Sequence, residues 1–328
     1  MSFANANYTD IIATTIQNRS KKIADNVSKS AALLAKLNER GNVKPFGGGN
    51  VIVQELSFAE NGNAGWYSGY DLLPISAQDV ISAAEFTIKQ LACPVVVSGL
   101  EQLQNAGPEA FIDLLEGRIG VAEATMQNRL AAGIYADGTG TGGKELTGLN
   151  AAVPIDPTTG VYGGIDRANF TFWRSTTKDV NTSTATVKLQ DTLNHAWSSI
   201  VKGQERPDLI PMDNLMWNTY VRELQALQRF TDPKVGSFGF PTIKFMDADV
   251  VLDGGIGGFA PSKTAWMLNT KWIFLRPHSA RNMVPLNPNK RYAVNQDAEV
   301  QILAWAGNLA CNGARYQARI LDNGTYVS

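Results

Sequence analysis

Gly138, Gly143 and Lys144 stand at the spacing of a phosphate-binding loop, GxxxxGK, and Gly138, Gly140 and Gly143 fit GxGxxG. Either pattern would cradle phosphate oxygens on backbone amides at the start of a helix. The surroundings oppose both. The glycines follow a helical pattern instead of a strand, and no amphipathic helix begins at Lys144. Glu145 also occupies the place where a magnesium-binding Ser or Thr is required. The stretch reads as a helix stop and a surface loop, and nucleotide binding is rejected.

Other reactive side chains are scattered. His195 lies on a predicted helix near Trp197, and His278 follows Arg276-Pro277 at a strand end. Neither has the CxxC, HExxH or HxH neighbours of a zinc site. Cys93 and Cys311 flank no metal spacing, so in a reducing compartment they read as small buried hydrophobes. Ser98-Gly99 lacks the preceding Gly-x of GxSxG. Asp247 and Asp249 could bind a cation, but strand alternation is expected to put both on one solvent face. Asp113 and Glu116 read as helix-start charge. No catalytic residue, metal ligand or cofactor is assigned.

The elements around these residues are more telling. Gly107-Pro108-Glu109 starts a helix, because Pro at the first helical position has a preset φ and needs no donor. Glu109, Asp113 and Glu116 suit the positive end of its dipole. Phe111, Leu115, Ile119, Ala122, Met126, Leu130 and Ile134 then recur in steps of three or four, one apolar stripe over about seven turns. Such a helix is about 40 Å long at 1.5 Å per residue, more than most single cores need. Gly117, Gly120 and Gly133 each cost roughly 1 kcal/mol against Ala and predict a curved helix.

Before it, VIVQELSF from Val51 alternates as a strand, and a return strand is expected at residues 84–91. Between them, residues 60–80 (rich in Gly, Asn, Tyr and Trp) far exceed the usual hairpin loop of about two to five residues. Trp66, Tyr67 and Tyr70 at its end are the residue types that anchor interfaces. A neighbouring subunit is the preferred occupant, ahead of a ligand beneath a lid.

Residues 8–39 read as an N-terminal helix or helices, with Ile12, Ile16, Ile23, Val27, Ala31 and Leu34 as the apolar stripe and Gly41 and Pro45 ending the pattern. Residues 1–45 hold seven basic side chains (Arg19, Lys21, Lys22, Lys29, Lys36, Arg40 and Lys44) against Asp10, Asp25 and Glu39. They form either a solvated helix face or an arm beside nucleic acid or a partner subunit. Further on, residues 187–201 are expected as a helix, 207–212 as a strand, and 214–230 as a helix capped by Asp213. Strands are expected at 242–252, 264–276, 298–304 and 308–321, with Gly307 and Gly313 marking bends or bulges.

At 328 residues, 44% apolar content and net charge −1, the chain can bury one large core or two moderate ones and lacks the basic excess of a dedicated nucleic-acid binder. No apolar run approaches the roughly 20 residues that span a bilayer, so no membrane partner is expected. The first residues have neither the charged region nor the apolar core of a signal peptide, which points to a protein kept in a cytoplasm.

The order of these elements resembles the major capsid proteins of tailed bacteriophages, the Hong Kong 97-type fold. The strongest local likeness is NRLAAGIYADGTGTGGKELTGLNAAV (128–153), similar to the end of that family's spine helix and the turn after it. DLIPMDNLMWNTYVRELQ and AWMLNTKWIFLRPH look like strand–helix and strand pieces of its axial domain. The resemblance implies an α+β fold: an N-terminal arm over 1–45, an extended loop over 46–95, and a peripheral domain with the spine helix over 96–180. An axial domain follows over 181–295, and return strands of the peripheral domain over 296–328. It further implies self-assembly as hexamers and pentamers into an icosahedral head shell in the host cytoplasm, with non-specific contacts to packaged double-stranded DNA. Scaffolding, portal and decoration proteins are the implied accessory partners. The family's Lys–Asn cross-link is not carried over, because Lys89 has no matched acidic catalyst. An encapsulin-type compartment on the same fold is the alternative. A hydrolase with carboxylates paired only in space, and the long hairpin as a lid, is the reading from a different class.

Overall fold

The computed structural model describes residues 31–98, 108–226, 234–235, 241–254, 258–286, 291–292 and 298–324. Helix α1 (Ala32–Glu39) precedes β1 (Val51–Ser57), β2 (Ile81–Thr87), β3 (Lys89–Ser98) and the 27-residue α2 (Pro108–Ile134). Short strands β4 (Val161–Tyr162), β5 (Ile165–Asp166) and β6 (Thr176–Asp179) lead to α3 (Lys188–Ile200), β7 (Leu209–Met212) and α4 (Asn214–Ala226). Next come β8 (Lys234–Val235), β9 (Pro241–Phe245), β10 (Ala248–Leu252), β11 (Thr264–Met267) and β12 (Ile273–Pro277). β13 (Val284–Pro285), β14 (Arg291–Tyr292), β15 (Ala298–Cys311) and β16 (Ala318–Leu321) complete the order.

Two sheets organise the chain. The first has seven strands in the order β6-β16-β11-β7-β10-β9-β8. Strands β7, β11 and β16 are buried at every position, the continuous apolar pattern of strands covered on both faces. One face (Ile210, Met212, Val250, Ala265, Met267, Ile320) packs against Leu189, Leu193 and Ile200 of α3 and Met216 and Tyr220 of α4. The other (Leu209, Val251, Trp266, Leu268) joins a larger core with the described half of α2. There Ile119, Ala122, Met126, Leu130 and Ile134 are all buried, which is the stripe expected from the spacing.

The second sheet is built on β15, with β12, β13 and β14 along one edge and β3 along the other. Residues 42–46 add a further parallel run beside β12, through Lys44 N–H to Leu275 O and Phe46 N–H to Pro277 O. β1 and β2 pair antiparallel, Val51 opposite Thr87 and Ser57 opposite Ile81. The inner face of this ribbon, Ile52, Leu56, Ala84 and Phe86, is buried against Tyr162 and Trp173.

Several expectations are corrected. The return strand ends at Thr87, and the chain then starts β3, a separate strand in another sheet. The expected strand at 242–252 is the hairpin β9–β10, turning at Met246 with φ +51°. Asp247 and Asp249 therefore do not share a solvent face: Asp247 is in the turn and Asp249 is buried. The expected strand at 264–276 is β11 and β12, parted by a 3-10 turn at Thr270–Trp272. Gly307 makes no bend, because β15 runs through it. A Cβ there would fall on the Arg276 carbonyl oxygen and lie 2.9 Å from Pro277 Cα, so glycine permits close strand approach instead. β6 and β16 belong to the seven-stranded sheet, and β12 and β13 to the other.

Caps come partly from where the sequence points and partly not. Asp213 caps α4, its Oδ1 accepting from Met216 N–H at 2.9 Å. Helix α3 has no side-chain cap at Val187. Glu223 of α4 serves it instead, accepting from Leu189 and Gln190 N–H at 3.1 and 3.0 Å and satisfying first-turn donors that would otherwise be orphaned.

The end of α2 meets the seven-stranded sheet at a buried seam. The Tyr135 hydroxyl donates to Asp253 Oδ2, and its ring lies 6.2 Å from that of Trp266. The Arg319 guanidinium sits 4.6 Å above the opposing Trp266 ring. Burial pushes the Tyr135 phenol well up and lowers Arg319 to about 10.

Candidate inter-subunit surface

The ribbon β1–β2 opens into the loop 58–80, closed at its root by Phe58 N–H donating to Val80 O at 3.0 Å. Farther out, Asn63 Nδ2 donates to Ser76 O at 2.6 Å and Ser76 Oγ to Asn63 Oδ1 at 2.9 Å, a polar rung between the two arms. Beyond that rung, residues 64–75 turn around Ser68–Asp71. Asp71 N–H donates to Ser68 O, Ser68 N–H donates to Asp71 Oδ2 at 2.8 Å, and Gly69 supplies φ +51°.

This end carries apolar side chains that the chain does not cover. Trp66 and Tyr70 are as exposed as in an isolated peptide (106% and 105%), and Tyr67 is 67% exposed. Leu72, Leu73 and Ile75 are exposed beside them. Only the three aromatics are singled out by the sequence reading. The aliphatic trio had its signal too, an apolar group lying in neither a strand nor a helical period. A concentration of apolar side chains in solvent marks an interaction surface.

Of the seven basic residues, Arg19, Lys21, Lys22 and Lys29 lie outside the described residues. The other three have partners in the chain. Lys36 Nζ is 3.1 Å from Glu39 and 3.6 Å from the buried Asp249, which also pairs with Lys244. Arg40 Nη2 is 3.2 Å from Asp208, whose Oδ1 accepts from Thr270 N–H at 2.7 Å. Lys44 Nζ lies 5.0 Å from the centre of the Phe274 ring. These contacts fasten α1 and the segment after it to the body.

The glycine-rich stretch after α2 is a surface loop. Gly138, Gly142 and Gly143 have φ of +83°, +68° and +79°. The Gly143 and Lys144 amides bond back to Thr139 O and Gly140 O, and Lys89 Nζ donates to Gly143 O. Two of the amides that would cradle a phosphate are thus used within the loop. His195 is exposed, 3.7 Å from Asp191, and His278 Nδ1 accepts from Ala280 N–H at 3.1 Å. The structure does not bring the two histidines together, and among the described residues no three His, Cys, Asp or Glu side chains converge as a metal site. Cys311 is buried, with its thiol pushed up to about 12 by burial, and Cys93 is half-buried; both are free thiols.

No protein-family model matches the chain, and no curated protein matches it in sequence. Its fold does have counterparts among solved structures. The capsid of cyanophage A-1(L) superposes with a TM-score of 0.64 at 17% identity, covering 86% of this chain and 90% of that one. The capsid of a native GTA particle gives 0.53 at 13% identity, covering 88% and 90%. The SrpI encapsulin of Synechococcus elongatus PCC 7942 gives 0.53 at 9% identity, covering 87% and 86%. The chain has the capsid-shell fold of these structures, the mixed α+β architecture of the Hong Kong 97 type.

Proposed function

We propose that this protein is the major capsid subunit of a tailed phage. It assembles as pentamers and hexamers into an icosahedral head that encloses double-stranded DNA. The observation that carries this reading is the uncovered loop end 64–75, presented on a shell fold. Trp66, Tyr67 and Tyr70 become buried when an adjacent subunit covers them, and heterologous contacts of that kind close into rings. Confinement replaces affinity in such a head, which is compatible with a net charge of −1. The assembled virion is its destination. Scaffolding, portal and decoration proteins are its accessory partners, and the host cytoplasm is where it assembles.

Likeness to an encapsulin supports a second reading, a compartment holding protein cargo. Negative-stain microscopy of the purified protein tests the shell, with closed particles or rings of five and six subunits expected. A chain that stays monomeric or dimeric at every concentration overturns it. Nuclease-protected double-stranded DNA inside particles from the native source supports the phage head, and protein cargo supports the compartment.

A further inference from the structure

We propose that Asn61 is a site of self-modification: its side-chain amide is displaced by the Gly62 nitrogen, leaving aspartyl and isoaspartyl residues. The reaction belongs to the lone chain and does not depend on what it assembles into. An Asn followed by Gly suits it best, because glycine has no Cβ to hinder its own nitrogen from approaching the neighbouring carboxamide. The sequence has three such pairs, Asn61-Gly62, Asn312-Gly313 and Asn323-Gly324. The structure separates them.

Asn61 and Gly62 are both exposed, near the start of the loop 58–80. Among the described residues no acceptor holds the Gly62 N–H or the Asn61 side-chain nitrogen. The nucleophile is thus free to lose its proton to solvent, and the leaving group is free to depart. Asn61 Oδ1 accepts from Asn63 N–H at 2.9 Å. That bond closes a small ring containing the Gly62 nitrogen, and it draws electron density from Cγ, the carbon to be attacked.

The other two pairs are held. Gly313 N–H donates to the Cys311 sulfur, and a Cβ at Gly313 would lie 2.8 Å from Trp272 Cβ, so the backbone there is tightly packed. Gly324 N–H donates to Asp322 Oδ1 at 3.0 Å, and Asn323 Nδ2 donates to Asp179 Oδ2 at 2.9 Å. An amide bonded to a carboxylate resists losing its proton. Asn63, the next Asn along the loop, is bonded to Ser76 at both ends of its carboxamide and is followed by Ala64.

The reaction balances with water as co-reactant. Solvent takes the Gly62 amide proton, the nitrogen bonds to Asn61 Cγ, and the Cγ–Nδ2 bond breaks to release ammonia. The resulting cyclic imide adds water at either carbonyl. Opening on one side leaves Asp, and opening on the other leaves isoaspartate, whose main chain runs through Cβ and Cγ. Either product adds a further acid to a loop that holds Glu60, Asp71 and Asp79 and no Lys, Arg or His. The isoaspartyl form also removes the side-chain carboxamide that holds Asn63 N–H, beside the rung from Asn63 to Ser76.

Incubating the folded protein in heavy-oxygen water at neutral to mildly alkaline pH, then mapping peptides by mass spectrometry, tests the assignment. Asn61 is expected to take up heavy oxygen at least tenfold faster than Asn312 and Asn323, and faster still as pH rises. Enzymatic methylation should mark isoaspartate in that peptide. In urea, where all three pairs lose their structure, the three rates are expected to converge. Gly62→Ala should slow the reaction at least tenfold. A Cβ at Gly62 meets only the end of the Gln78 side chain, at 3.3 Å and beyond, so this variant keeps the fold. Faster conversion at Asn312 or Asn323 in the folded chain overturns the proposal. So does an Asn61 that converts in urea but not when folded, or a rate that Gly62→Ala leaves unchanged.

Discussion

Two aromatic groups in this chain have opposite surroundings. At the seam, Tyr135 and Trp266 lie between the spine helix and the seven-stranded sheet, covered by Arg319 and bonded to Asp253. At the loop end, Trp66, Tyr67 and Tyr70 meet solvent, and the bonds that shape the turn are local, between Ser68 and Asp71. Similar residue types thus serve two tasks. The buried pair stabilises the chain, whereas the exposed trio is largely uncovered by its own chain and, on the proposed function, is surface kept for a partner. Stability and assembly should therefore be separable by mutation.

The most severe challenge to that division is Trp266→Ala. Removing a fully buried Trp costs about 3–5 kcal/mol, and here it also leaves the Arg319 guanidinium without its ring. Urea unfolding of unassembled protein should show a midpoint lowered accordingly. A change near zero would mean that the seam does not hold the two cores together.

Gly148→Ala should come next. A Cβ at Gly148 would fall on the carbonyl oxygen of Ile134 and lie 2.6 Å from that of Gly133, at the end of the spine helix. Backbone cannot yield as a flexible side chain can, and overpacking of this kind costs about 1–3 kcal/mol. The same unfolding measurement checks it. Gly142→Ala in the exposed loop, where a Cβ meets nothing within 4 Å although φ is +68°, should cost less.

Asp253→Asn sharpens the seam through pH. Burial pushes the Asp253 carboxyl up more than the hydrogen bonds from Tyr135 and the Phe259 amide pull it down. The folded chain thus holds this proton more tightly than the unfolded one, whose carboxyl titrates near about 3.9. The stabilisation is complete below that value and is lost as pH rises through the higher folded pKa. Asn keeps an acceptor for Tyr135 but does not titrate. Melting curves from about pH 4 to 7 should show the native protein losing stability relative to Asp253→Asn as pH rises. Parallel curves would remove Asp253 from the account.

Local periodicity made part of this molecule legible in the sequence. The spine helix, the Asp213 cap and the exposed Trp66 all follow from spacing or residue type over a few neighbours. What the sequence concealed depends on distant partners. The break at Ile88 is invisible because residues 84–91 alternate smoothly, and only β15 pulls residue 89 onward into another sheet. Asp249 reads as a solvent residue until Lys36 and Lys244 arrive from two other elements. Asn308 carried no signal at all. It is fully buried, donating to Thr87 O at 2.8 Å and accepting from Thr147 N–H at 3.0 Å, so it ties β15 to the ends of β2 and the glycine-rich loop. Apparent bends at Gly307 and apparent continuity at 264–276 fail for the same reason. A glycine or an apolar run is interpreted by what packs on it, and that contact is not local.

The smallest expected change in stability is at the loop end, and it is the sharpest test of the division. In the triple variant Trp66→Ala, Tyr67→Ala, Tyr70→Ala, little buried area is lost within the chain, because Trp66 and Tyr70 are fully exposed and Tyr67 is 67% exposed. Surface substitutions of this kind stay within about 0.5 kcal/mol, so the unfolding midpoint should coincide with that of the native protein. Assembly should behave in the opposite way. Each aromatic that a neighbour covers would contribute apolar burial at about 25 cal/mol per Å², and a ring repeats the loss at every contact. Sedimentation of the two proteins at equal concentration should show particles or rings for one and slow species for the other. A triple variant that unfolds early would mean that the loop end packs on its own body in solution. One that assembles normally would mean that other surfaces carry the shell, with the exposed aromatics kept for a different partner.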